Sequence, residues 1–143
     1  MKQILKTSLL SLLLSSPLTS YAAESLVFSD AWSPEAPPVA RVMAAYFNVE
    51  NKGPKEILIE EVSSPQFDSI EIHRTVHKDG MASMEWQPHV HVPAGKVIKL
   101  EPGGKHLMMF KPKQALKQSD SITLHIKLSD NTKQTIYAKV KRQ

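Results

Sequence analysis

The chain has 143 residues, with 18 Lys and Arg against 14 Asp and Glu, a net charge of +4 and no cysteine. The lack of thiols excludes a disulfide framework and a thiol oxidoreductase, and leaves no side chain for lipid attachment through a processed cysteine. The charge is too weak and scattered to point to nucleic acid, and the basic "KVKRQ" end reads as solvated surface.

Lys2 and Lys6, an apolar run from Leu9 to Leu14, Pro17 and the small residues Ser20 and Ala22 make residues 1–22 a secretory signal peptide, with cleavage expected after Ala22. The apolar run is too short to remain as a membrane-spanning helix, so no stable membrane insertion is expected. Residues 23–143 then form one exported, soluble domain. Its net charge falls to +2, because the leader carries two lysines and no acid.

Along that domain apolar residues recur at every second position, in short runs separated by Gly, Pro, Asn and Asp, with no internal repeat. Strands are expected at Leu26 to Phe28, Arg41 to Glu50, Glu56 to Val62, Ser69 to Val76, Met81 to Val92, Val97 to Leu100 and His106 to Phe110. A closing hairpin sets Ile122, Leu124, Ile126 and Leu128 against Ile136, Ala138 and Val140. Only "KQALKQS" offers a helical turn. This spacing predicts an all-β, two-sheet Greek-key sandwich.

The chemistry concentrates in "GGKHLMMF", Gly103 to Phe110. In an extended strand His106 and Met108 share one face while Leu107 and Met109 face the core. Gly103 and Gly104 read as the turn that admits this strand, with no helix dipole for an anion. Upstream, Asp79-Gly80 is a favoured two-residue hairpin turn. It sets Lys78 opposite Met81, Thr75 opposite Met84 and His73 opposite Trp86. His73 and Met84 become diagonal neighbours on one face, while Met81 falls on the other; a one-residue slip would reverse that choice. Met43, Met81 and Met109 are expected as packing residues.

Two imidazoles and two thioethers form a soft, neutral donor set, suited to Cu(I) rather than to Mg, Ca or Mn. Thioethers form no disulfides and need no deprotonation, which fits an oxidising compartment. Further histidines are weaker candidates. His77 shares the face of His73 and could be a spare or Cu(II) ligand; His89 and His91 could pair as imidazoles or simply line a surface; His125 stands alone. Trp86 could shelter an ion beside His73, although cross-strand packing explains it as well.

The spacing His73, ten residues, Met84, twenty-one residues, His106, one residue, Met108 resembles the H-x10-M-x21-H-x-M signature of the periplasmic copper chaperone family PCu(A)C. "AYFNVENKG", "IHRTV", "VPAG" and "LEPGGKHLMMF" resemble that family too. The resemblance implies a cupredoxin-like sandwich that binds one Cu(I) through His73, Met84, His106 and Met108. It also implies delivery of that copper, in the periplasm, to the copper-centre subunit of a respiratory cytochrome c oxidase or to another copper chaperone. The chain ends in "YAKVKRQ", so the His- and Met-rich tail of some relatives, with its Cu(II) capacity, is not expected. A monomer is expected. Enzymatic turnover is not, since no nucleophile triad can be nominated and blue-copper chemistry needs a cysteine ligand. Copper buffering or detoxification, and a non-metal assembly module, are the alternatives.

Overall fold

The computed structural model describes residues 25–143, so the expected leader at 1–22 lies outside the described residues. Ten strands follow in order: β1 (Leu26–Pro34), β2 (Val42–Asn51), β3 (Ile57–Ser63), β4 (Phe67–Lys78), β5 (Met81–Gln87), β6 (Val90–Val92), β7 (Val97–Leu100), β8 (Lys105–Pro112), β9 (Ser121–Leu128) and β10 (Lys133–Lys141). No helix occurs among the described residues, and none is long and apolar enough to cross a membrane. The all-β sandwich expected from the period-two pattern, and its cupredoxin-like form implied by the family resemblance, fit the observed architecture.

Hydrogen bonding runs continuously in the order β5-β4-β8-β7-β2-β1-β10-β9-β3-β6, with β8 also paired to β2. One layer is built on β5, β4, β8, β7 and β2, and the other on β10, β9, β3 and β6. The layers join through β1, which runs antiparallel to β2 from Leu26 opposite Asn51, then parallel to β10 at Trp32 to Pro34. Asp30, with a φ of 52°, kinks the strand where its register against β2 shifts, and beyond the kink Trp32 pairs with both Tyr46 of β2 and Lys139 of β10.

The two layers face each other across a single apolar cluster. Met43, Phe47, Leu107, Met109 and Ile72 come from one side, and Ile59, Ile122, Leu124, Ile126 and Val140 from the other. In β2 the alternation is complete, with Met43, Ala45, Phe47, Val49 and Asn51 all buried. Asn51 is fully buried because its side chain is saturated: Nδ2 donates to the carbonyls of Lys55 and Val92, and Oδ1 accepts from the Gly53 amide.

Four expectations need correction. The run Met81 to Val92 is two strands, because Pro88 lacks the amide a continuing ladder requires and β6 pairs with β3 instead of β4. β1 extends six residues beyond Phe28, since the Asp30 kink hides its second half from a period-two count. "KQALKQS" forms no helical turn: Leu116 inserts into the core and a tight turn follows, closed by the Asp120 amide donating to the Lys117 carbonyl. Met81 is not a packing residue; it lies at the hairpin tip, 72% exposed.

Candidate metal centre

The Asp79-Gly80 turn forms as expected, with φ of 52° and 77°, the double left-handed conformation that a two-residue hairpin demands. The register is the predicted one: Lys78 faces Met81, Thr75 faces Met84 and His73 faces Trp86. On the other side of β4, His73 faces His106 of β8 and Glu71 faces Met108. Met108 in turn faces Ala44 of β2. Directly opposed residues share a face, so three adjacent rows cross these strands: Met84 with Thr75; Trp86 with His73 and His106; and Glu71 with Met108 and Ala44. Leu107, Met109 and Ile72 point the other way, into the core. The fold therefore brings His73, Met84, His106 and Met108 to neighbouring points on one outward face.

That face is not fully open. A surface cleft of about 240 Å³ is lined by Ala44, Tyr46, Thr75, Met84, Gly103, His106 and Met108, among others. His106 is 4% exposed despite facing away from the core. His73 does not line the cleft itself; its side chain is 13% exposed and its ring centroid lies 6.0 Å from that of His106. Met84, 59% exposed, stands at the rim, and Trp86 beside His73 is 60% exposed, too open to seal the site.

Each imidazole has one nitrogen engaged. His73 Nε2 lies 2.8 Å from Glu71 Oε2, and His106 Nδ1 lies 3.1 Å from the Gly104 carbonyl oxygen. A carboxylate and a carbonyl only accept, so each ring donates there, and in the neutral imidazole the other nitrogen carries the lone pair. Those two nitrogens, His73 Nδ1 and His106 Nε2, are the buried side-chain polar atoms that find no hydrogen-bond partner among the described residues. An unsatisfied buried acceptor costs on the order of 1 to 3 kcal/mol, so a pair of them on facing histidines calls for a ligand. Among the described residues no three His, Cys, Asp or Glu side chains gather into a metal site. The rows on either side of the two rings carry the thioethers of Met84 and Met108.

Gly103 supplies the turn into β8 at a φ of 80°. The next carbonyl, that of Gly104, accepts both from His106 and from the Thr75 amide at 3.0 Å, which locks the loop to β4. Sequence reasoning missed Glu71, the Gly104 carbonyl and Tyr46. Glu71 was findable, since it precedes His73 by two residues on a strand. Tyr46 is placed only by the sheet order; burial raises its phenol above the usual value, so it lines the cleft as a neutral group. His77 shares the His73 face but is exposed, and His125 is engaged with Thr135 Oγ1 at 2.9 Å.

The model of the LpqE-like family, described as "Putative lipoprotein LpqE-like", matches residues 26–140, and the chain belongs to that family. It is 29% identical over 120 residues to the lipoprotein-named Lxx21020 of Leifsonia xyli subsp. xyli, covering 83% of this chain and 71% of that one. It is also 29% identical over 98 residues to RP573 of Rickettsia prowazekii, covering 68% of this chain and 54%, about half, of the relative. Among solved structures, the Cu(I) form of DR1885 from Deinococcus radiodurans superposes with a TM-score of 0.69 at 28% identity, over 87% of this chain and 83% of that one. The copper-bound PCuAC domain from PmoF2 gives 0.71 over 86% and 97%; at 16% identity this is a likeness of fold.

Proposed function

We propose that this protein is an exported copper chaperone that carries one Cu(I) on His73, Met84, His106 and Met108. The observation that carries this reading is the pair of partnerless lone-pair nitrogens on facing histidines, with a methionine in the row on either side. Two imidazoles and two thioethers form a neutral, soft set that favours the monovalent ion. The likeness to a Cu(I)-loaded protein at 28% identity supports the same choice.

The unequal exposure of the four side chains supports delivery. The two rings are held from behind by Glu71 and Gly104, whereas Met84 stands at the rim. An acceptor's donor displaces Met84 first, and the imidazoles retain the ion until a second donor arrives. The acceptor proposed is the copper-centre subunit of a respiratory cytochrome c oxidase or a second copper chaperone, met in the periplasm by a monomeric carrier.

The test is anaerobic titration with Cu(I) against a chromophoric chelator, then incubation with an apo oxidase copper-centre fragment. One equivalent per chain, lost in a Met84→Ala/Met108→Ala variant that keeps its fold and transferred to the fragment by the parent, is the expected result. Undiminished Cu(I) binding by the variant would remove the proposed site. Binding with no transfer would leave a buffering protein.

A further inference from the structure

A second group of imidazoles lies on β6, at the opposite end of the hydrogen-bonded strand order from β5. Val90 and Val92 are buried, so His91 between them points outward, and His89 shares that outward side two residues earlier. The two rings meet: His89 Nε2 lies 3.0 Å from His91 Nε2, with centroids 4.7 Å apart. On the far side of its ring, His91 Nδ1 lies 3.2 Å from Glu56 Oε1. Glu56 precedes β3 and, two residues before Leu58, is diagonal to His91 on the same face, because Leu58 pairs directly with His91.

We infer that His89 and His91 form a bidentate site for a divalent, nitrogen-preferring cation, Cu(II) above all, separate from the four-residue site and independent of the Cu(I) reading. The argument is first one of bite. Two imidazole nitrogens bound at about 2.0 to 2.1 Å in square-planar or tetrahedral coordination stand about 2.8 to 3.4 Å apart, and the observed separation is 3.0 Å. The strand brings the two rings into contact, with both donor atoms at that spacing.

The second argument is tautomeric. The Glu56 carboxylate can only accept, so His91 carries its proton on Nδ1 and presents a lone pair at Nε2. In the free protein the His89 Nε2–H donates to that lone pair. On metal binding His89 moves its proton to Nδ1 by exchange with water, so both Nε2 atoms become donors and no net proton is lost. A carboxylate behind a ligating imidazole is the arrangement that orients metal-bound histidines elsewhere. With no thioether in the group, and two positions left to water, the site favours divalent ions. Among the first-row divalent metals Cu(II) binds such a set most strongly, followed by Ni(II) and Zn(II).

The experiment titrates the full chain with Cu(II) and, separately, with Zn(II), and compares it with His89→Gln/His91→Gln and Glu56→Gln. All three residues are at the surface, and unchanged thermal melting confirms the fold. The expected result is a Cu(II) electron paramagnetic resonance signal with coupling to two nitrogens, and Zn(II)-shifted ring resonances of His89 and His91, both abolished in the double variant. Glu56→Gln should weaken binding about ten-fold, with Cu(I) loading of the four-residue site unaltered in every variant. An unchanged Cu(II) signal in the His89→Gln/His91→Gln protein, or Zn(II) that shifts His73 and His106 but not this pair, would overturn the inference.

Discussion

Glu71 looks in isolation like an ordinary solvated strand residue, yet it decides which nitrogen of His73 is free. Its carboxylate takes the Nε2–H at 2.8 Å, so in the neutral ring the lone pair sits at Nδ1, where no group among the described residues answers it. Glutamine at 71 would keep the size, lose the charge and offer an amide that can hold either tautomer. Glu71→Gln should therefore weaken Cu(I) binding about 10- to 100-fold, the usual cost of losing such a carboxylate. Thermal stability should barely move, since Glu71 is about half exposed. A competition titration returning the parent affinity would deny Glu71 this role. The methionines divide in the same way. Met84 is a rim residue, and Met84→Ala should lower Cu(I) affinity at little cost in stability. Met109 is fully buried, and Met109→Ala should cost about 2 to 5 kcal/mol in denaturant unfolding.

At the scale of elements, the hairpin of β4 and β5 sorts side chains by parity. Met84 reaches the His73 face because Asp79-Gly80 fixes Thr75 opposite it, whereas Ser83 is opposite Val76 and points to the other face. A Ser83→Met/Met84→Ser exchange keeps the number of methionines and moves the thioether by one position. It should bind Cu(I) as weakly as Met84→Ser alone; recovery of the parent affinity would show that the sheet face does not select the ligand. Parity also explains what could be read in advance. The β4–β5 register and the outward pair His106 and Met108 were legible because a left-handed Asp-Gly turn and a period of two are local properties. The second half of β1 was hidden by the Asp30 kink, and the break at Pro88 by the apolar alternation that continues through it. The contact of Glu56 with His91 spans 35 residues of sequence. It exists only because β6 leaves the sheet of β5 and adds to β3.

Over the whole molecule, two features tie stability to conditions. Where β1 ends beside β10, Arg142 Nε donates to Glu35 Oε2 at 2.9 Å, and the Glu35 amide donates to the Lys141 carbonyl at 2.8 Å. The hydrogen bond from Arg142 is the main cause holding the Glu35 carboxyl below its usual value of 4.5. A lowered folded-state pKa contributes stability above the unfolded value and loses it as pH falls through the folded one. Glu35→Gln should thus flatten slightly the decline in urea midpoint below about pH 4.5, and change neutral-pH stability little, since the Arg142 side chain is largely exposed and solvent screens the pair. The metal centre works with a larger lever. Among the described residues two buried imidazole nitrogens have no hydrogen-bond partner, a cost of about 1 to 3 kcal/mol each. In the proposed function, a cation that binds only the folded chain relieves that cost, and at a free concentration a thousand-fold above its Kd it adds about 4 kcal/mol. For a domain of this size that corresponds to a rise in Tm on the order of 10 °C. Calorimetry under reducing, anaerobic conditions should show such a rise with Cu(I), and no rise in Met84→Ala/Met108→Ala. An equal rise in that variant would mean that copper stabilises the sandwich from somewhere other than the cleft beside His106.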